Sequence, residues 1–264
     1  MSIKAILFDK DGTLLDYHAT WTGINLRAAL AAASGDTALV KRLLTVADAD
    51  PETGRAHPGG LFAAGNTSEI VDAWIDAGIT LPRDALIEAV DLIFTDAMRS
   101  AVPIIGGREI IKALYDQGYV MGVASSDSET AIGVFLEHAG LAPYFTFIAG
   151  YDSGFGHKPA PGMLTAFCSA IDMDPAHAAV VGDNVQDLQL ARSGGAGIGI
   201  GVLSGTGTQA MLAPLADAVI ADISHLERVF ADPRCNSAIF GCAAAGITAA
   251  YTKIARRGGR YQDD

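Results

Sequence analysis

Ile3-Lys4-Ala5-Ile6-Leu7-Phe8-Asp9-Lys10-Asp11-Gly12-Thr13-Leu14-Leu15-Asp16 contains an apolar run, Ala5 to Phe8, that stops abruptly at Asp9. A short continuous apolar run bounded by turn residues reads as a strand buried on both faces. In open α/β sheets, ligands bind outside the carboxyl ends of the strands. Asp9 and Asp11 stand two positions apart, so their side chains can point to one side and converge on one site. Two carboxylates held close attract a divalent cation, or separate in pKa enough to divide nucleophilic from acid/base work. The same letters could form only a polar turn, since Asp and Gly are turn formers. A calcium loop counted from Asp9 would need Glu at its twelfth position, where Thr20 stands, so that reading fails.

The chain has 264 residues, which suits one large or two smaller domains, and half of them are hydrophobic, ample for a core. The formal net charge is −12, and no Lys/Arg cluster occurs outside Arg256-Arg257. That argues against a nucleic-acid partner and for solubility. Cys168, Cys235 and Cys242 form no CxxC pair, so no zinc site is expected, and free thiols fit a reducing compartment. The N-terminus runs straight into the strand without a signal-peptide pattern. The longest apolar stretch, Ala238 to Tyr251, is too short and too rich in Ala and Gly to span a membrane. The expectation is a cytoplasmic protein with no membrane or nucleic-acid partner, for which a homodimer stays open.

After Asp16 the pattern turns helical. Asn25 to Ala33 is Ala-rich, Thr37 to Ala47 repeats apolar positions at helical spacing, and Pro51 to Gly60 is a breaker-rich loop. Ser68 to Ala77, capped by Thr67 or Ser68, and Pro82 to Arg99 complete a helical set. From Pro103 strands alternate with helices. Tyr119–Ala124, Phe145–Ala149, Ala178–Val181, Gly197–Val202 and Ala218–Ala221 are expected strands, with helices between them. Such alternation predicts a parallel sheet built from right-handed βαβ crossovers. The fold class is therefore α/β, a doubly wound, Rossmann-like core (1–16 and 100–231) with an inserted all-helical cap domain (17–99). The remainder, 232–264, is expected to form a C-terminal extension, helical over Ala238 to Ile254 and frayed from Arg256 onward.

Asp9/Asp11, Ser125-Ser126, Lys158 and Asp183 with Asp187 each lie at or just after the C-terminal end of an expected strand, which would gather them on one sheet edge. Taken singly each has a plainer reading: Ser125-Ser126-Asp127 as a helix cap, Lys158 as a surface lysine, Gly182-Asp183 as a strand-end turn, Asp187 as a helix-surface acid. Together they resemble the haloacid dehalogenase superfamily. Asp9-Lys10-Asp11-Gly12-Thr13 matches its DxDGT motif, and Val123-Ala124-Ser125 its apolar strand ending in Ser or Thr. Lys158 before Pro159 matches its lysine preceding a helix, and Gly182-Asp183-Asn184-Val185-Gln186-Asp187 its GDxxxD. All occur in order over Ile3 to Gly207. The helical insertion resembles the cap of the phosphoglycolate phosphatase-like branch.

The resemblance implies a phosphatase acting through an aspartyl-phosphate on a small phosphorylated metabolite, phosphoglycolate-like or a sugar phosphate. Asp9 would be the nucleophile and Asp11 the general acid/base. Mg²⁺ would be held by Asp9, Asp183 and the backbone carbonyl of Asp11, with Asp187 touching the metal or orienting Lys158. Lys158, Ser125 and the backbone N–H of Ser126 would hold the phosphate. Dehalogenases and phosphonate-cleaving members lack the second Asp, so Asp11 favours phosphoester chemistry. A phosphosugar mutase keeps both acids and is the first rival; a non-catalytic phosphate-binding regulatory protein is another. Gly197-x-Gly199-x-Gly201 is not the GxGxxG dinucleotide turn and reads as a Gly-rich strand and loop near the site, while GxxxxGK[ST] is absent. Asp16 is expected to cap the first helix or sit at its hinge. In the insertion, Arg27, Arg42, Arg55 and His57 are candidate substrate contacts, Arg55 and His57 foremost because their Gly- and Pro-rich loop could face the core.

Overall fold

The computed structural model describes residues 2–231. The extension expected over 232–264, with its helix, Cys235 and Cys242, lies outside the described residues. Six parallel strands form one sheet: β1 (Ala5–Phe8), β2 (Val120–Ala124), β3 (Phe147–Ala149), β4 (Ala178–Gly182), β5 (Ile198–Val202) and β6 (Ala218–Ile220). Their order is β3-β2-β1-β4-β5-β6. β1 is therefore central, and the connections diverge on its two sides, the arrangement that opens a crevice at the strands' carboxyl ends. Phe8 pairs with Val123 on one side and Val181 on the other. The chain thus leaves β1, β2 and β4 at one level, and Asp9, Ser125 and Asp183 emerge along one edge.

Alternation along β1 splits the core. Ile6 and Phe8 pack with Met121, Val123 and Val181 on one face, against α6 (Gly107–Asp116), α7 (Glu129–His138) and α11 (Leu226–Ala231). Ala5 and Leu7 face the other way with Val180, Leu164, Phe167 and Leu190, under α8 (Gly162–Ala170) and α9 (Val185–Ser193). A short α10 (Gln209–Leu212) places Leu212 against Leu188. No helix of the described residues is long and apolar enough to cross a membrane.

Between β1 and α6 the chain forms α1 (Tyr17–Ala32), α2 (Thr37–Val46), α3 (Leu61–Ala64), α4 (Thr67–Asp76) and α5 (Arg83–Ala97). Their apolar faces continue the cluster on the Ile6/Phe8 side of the sheet, through Met98 and Phe94 to Leu43 and Trp74. Asp16 caps α1, accepting from Ala19 N at 3.0 Å. α1 starts earlier than composition indicates: Tyr17 and Trp21 are buried, and their burial outweighs the modest helix propensity of the Thr20-to-Gly23 stretch. The α4 cap is neither Thr67 nor Ser68. Asn66 takes it in a reciprocal capping box with Glu69. At α7 the cap is Ser128, whose hydroxyl accepts from Ala131 N, which leaves Asp127 free for another role.

Candidate active site

Asp9, at the end of β1, is buried, and Lys158 reaches it from the loop after β3. The Lys158 Nζ donates to Asp9 Oδ1 and to Asp187 Oδ1, both at 2.6 Å. Asp187 is itself fixed at the start of α9, where its Oδ2 accepts from Asn184 N at 3.0 Å. Asp183 follows β4, and its Oδ2 accepts from Thr206 N at 2.6 Å and Thr206 Oγ1 at 3.2 Å. The Gly-rich segment after β5 thus lies against the site. A Cβ at Gly205 would fall 2.0 Å from Asp183 Oδ2, and one at Gly12, where φ is +78°, 2.7 Å from it. Only glycine at both positions leaves room for this carboxylate.

Burial is the largest influence on Asp9, Asp183 and Lys158. It pushes Asp9 up; Lys158 pulls it back, Asp187 and Asp11 push it up again, and the metal-free carboxyl is held at about 7. Asp183 is raised well above the usual range, by burial and then by its neighbours Asp9 and Asp187. Burial alone would lower Lys158, but Asp187 and Asp9 more than offset it and raise it. One ammonium therefore balances a group of acids that carries more negative charge than it can neutralise. Carboxylate oxygens of Asp9, Asp183 and Asp187 lie within 4.8 Å of one another, and Asp9 Oδ2 is buried without a hydrogen-bond partner. An all-oxygen donor set with an orphaned, buried anionic atom fits a hard divalent cation.

On the far side of the same turn, Lys10 is wholly buried. Its Nζ donates to Asp11 Oδ1 at 2.6 Å and lies 3.1 Å from Asp127 Oδ2, near the rings of Trp21 and Phe135. Burial would lower its pKa; Asp11 and Asp127 reverse that and raise it. Asp127, raised by burial and drawn back by Lys10, stays at about 6. Asp11 is gripped three ways: by Lys10, by Trp21 Nε1 at 2.6 Å, and by Ser125 Oγ, which donates to its Oδ2 at 3.3 Å. Sequence reasoning passed over Lys10, because an isolated lysine is usually exposed. The alternation that puts it on the Phe8 side, toward the apolar cluster, was the available signal.

A cavity of about 60 Å³ lies between the sheet edge and the helices. Its floor carries Asp9, Asp11, Ser126, Lys158, Asp183 and Asp187. The side facing them is made by Tyr17, Trp21, Asn25, Phe62, Ile70 and Phe94. The structure thus brings Asp9, Asp11, Lys158, Asp183 and Asp187 together. Ser126 lines the cavity, whereas Ser125 is buried beneath it with its hydroxyl turned to Asp11. Arg55 and His57 do not line the cavity and are exposed. Arg27 lies 3.9 Å from Asp96, and Arg42 donates to Ala77 O. A loop read as facing inward from its Gly and Pro content instead turns its charged side chains to water. Tyr17, Trp21 and Asn25, which do line the cavity, carry no signal in the Ala-rich composition that begins at Asn25; their i, i+4, i+8 spacing after the Asp16 cap marks one helical face.

A profile describing haloacid dehalogenase-like hydrolases matches residues 3–195. The chain belongs to this family. Among curated relatives, the haloacid dehalogenase-like chain is 36% identical over 114 residues to a protein named probable phosphatase IndB from Dickeya dadantii, covering 43% of this chain and 49% of that one. It is 29% identical over 203 residues to the phosphoglycolate phosphatase of Pseudomonas putida, covering 73% of this chain and 66% of that one. The matches thus span about half to two thirds of these relatives' lengths. The crystal structure of CbbY from Rhodobacter sphaeroides in complex with phosphate shares the fold, with a TM-score of 0.63 at 20% identity over 85% of this chain and 96% of that one.

Proposed function

We propose that this chain is a Mg²⁺-dependent phosphomonoesterase that hydrolyses a small phosphorylated metabolite through an aspartyl-phosphate. The observation that carries the reading is the meeting of Asp9, Asp11, Lys158 and Asp183, from three separate loops, at one buried cavity. The phosphatase names of the curated relatives and the phosphate bound by CbbY point the same way.

A carboxylate oxygen of Asp9 attacks phosphorus in line, and the bond to the ester oxygen breaks. Asp11 gives its proton to the departing alkoxide, and the alcohol leaves. Asp11, now ionised, takes a proton from water, which attacks the aspartyl-phosphate, frees phosphate and restores Asp9. Lys158 offsets charge on the phosphoryl oxygens and the Ser126 N–H would hold them, while the Ser125 hydroxyl, turned to Asp11, steadies that acid. Asp9, Asp183 and the Asp11 carbonyl would hold Mg²⁺, which when bound neutralises negative charge at the transferring group. Asp187, bonded to both Lys158 and Asn184, positions the lysine. The helices α1 to α5 act as a cap that excludes water from the intermediate.

The test is phosphate release from a broad phosphoester panel, with Mg²⁺ and with EDTA. Hydrolysis that needs Mg²⁺ is expected; isomerised sugar phosphate without free phosphate would mark a mutase, and no turnover a binding protein. Asp9→Asn is expected to lower turnover by roughly a thousandfold or more, with unchanged circular dichroism. Retained activity would remove Asp9 from the nucleophile's role.

A further inference from the structure

The side of the cavity facing Asp11 receives the alcohol that leaves. Its polar atoms are nearly all committed: Tyr17 OH donates to Phe62 O at 2.8 Å, Trp21 Nε1 to Asp11, and Thr67 Oγ1 to Asp91 at 2.6 Å. The exception is the amide oxygen of Asn25, whose amide also lies against the Tyr17 hydroxyl. Asn25 is 1% exposed, lies one turn beyond Trp21 on the same face of α1, and lines the cavity. Its Nδ2 donates to Gly54 O at 3.2 Å, which fixes the amide's orientation, since a carbonyl turned toward that carbonyl would be repelled. Its Oδ1 is buried with no hydrogen-bond partner. A buried unmade hydrogen bond is costly, and this one accepts only: it calls for a hydroxyl or N–H.

The charges around the cavity exclude a second class of ligand. Among the described residues, Lys158 is the only cationic side chain that lines it, against Asp9, Asp11, Asp127, Asp183 and Asp187. Lys158 already bridges two of these acids, and the remaining wall is uncharged: Phe62, Ile70 and Phe94 are apolar, and Thr67, Ser126, Asn184 and Gln186 are neutral. A carboxylate on the leaving group would be desolvated among acids with no cation to meet it.

We propose that the leaving group taken here is an uncharged alcohol carrying a further hydroxyl or N–H donor, received by Asn25 Oδ1, and not a carboxylated alcohol such as glycolate. This rests on the phosphatase reading above and narrows its substrate class. Three size-matched esters test it on the full chain with Mg²⁺: 2-hydroxyethyl phosphate, ethyl phosphate and phosphoglycolate, with 4-nitrophenyl phosphate as a probe of the chemistry alone. The expected kcat/KM for 2-hydroxyethyl phosphate exceeds that for ethyl phosphate by about tenfold, the effect of one buried hydrogen bond, and phosphoglycolate is poorest. In Asn25→Leu the hydroxyethyl-to-ethyl ratio falls to near one, while in Asn25→Asp, which keeps an acceptor oxygen, it stays above one. Each ratio is taken within one variant and so does not depend on the fraction folded. Phosphoglycolate turned over as well as 2-hydroxyethyl phosphate, or a ratio unchanged in Asn25→Leu, overturns the proposal and leaves the phosphatase standing. No Mg²⁺-dependent turnover of any ester, 4-nitrophenyl phosphate included, overturns the phosphatase reading and this one with it.

Discussion

Lys10 and Lys158 sit on opposite sides of the β1 turn, and each is buried between two carboxylates. Their neighbourhoods differ in what stays unsatisfied. Lys158 leaves Asp9 Oδ2 without a hydrogen bond beside Asp183, whereas Asp127 Oδ2, also without one, has Lys10 Nζ at 3.1 Å, and Lys10 is enclosed by Trp21, Phe135 and Met98. The first arrangement suits a site that takes up charge, the second a fixed support for Asp11. Removing one partner of a buried ion pair costs more than the pair contributes, because the other charge stays buried. Lys10→Met is therefore expected to destabilise the protein by about 3 kcal/mol near neutral pH. Urea unfolding measures it. The deficit should shrink near pH 5, where Asp127, which burial raises and Lys10 draws down to about 6, is protonated and needs no cation. A deficit equal at both pH values would show that Lys10 acts through packing alone.

Among the helices, α1 and α3 supply most of the cavity wall, and α4 adds Thr67 and Ile70. α1 presents Tyr17, Trp21 and Asn25 along one face, and Asp16 starts it at the place where the chain leaves the turn after β1. α4 is held by the Asn66–Glu69 capping box, with Glu69 N donating to Asn66 Oδ1 at 3.1 Å and Asn66 N to Glu69 Oε2 at 2.9 Å. This cap adjoins the cavity residues Gly65 and Thr67. Asn66→Ala should cost about 1 kcal/mol in thermal or urea unfolding. Ser68→Ala, one residue into the helix, should cost less. Equal losses would mean that the capping box does not carry the helix start.

Across the whole molecule, the buried acids of the candidate site resist ionisation. Burial holds Asp9 at about 7 and Asp183 well above the ordinary carboxyl value of 3.8. The folded chain then binds more protons than the unfolded chain between those values. The stability these protons confer is complete below the unfolded value and is lost as pH rises through about 7. A divalent cation competes with the protons and removes that loss. The rise in Tm produced by millimolar Mg²⁺ should therefore be small near about pH 5.5 and larger near about pH 8. A rise of the same size at both would detach the metal from these carboxylates.

The strand-end polar residues could be recognised from the letters because their signal is local: an apolar run stops, and Asp9, Ser125 or Asp183 follows at once. Parallel α/β order was equally readable, since strand and helix periods alternate along the chain. Tertiary contact alone decided the burial of Lys10, the turn of Ser125 toward Asp11, and the exposure of Arg55 and His57. It also decided that Tyr17, Trp21 and Asn25 wall the cavity. These depend on which surfaces meet when helices far along the chain close over the sheet. A charge does not announce in sequence whether its partner is water or a carboxylate more than a hundred residues away.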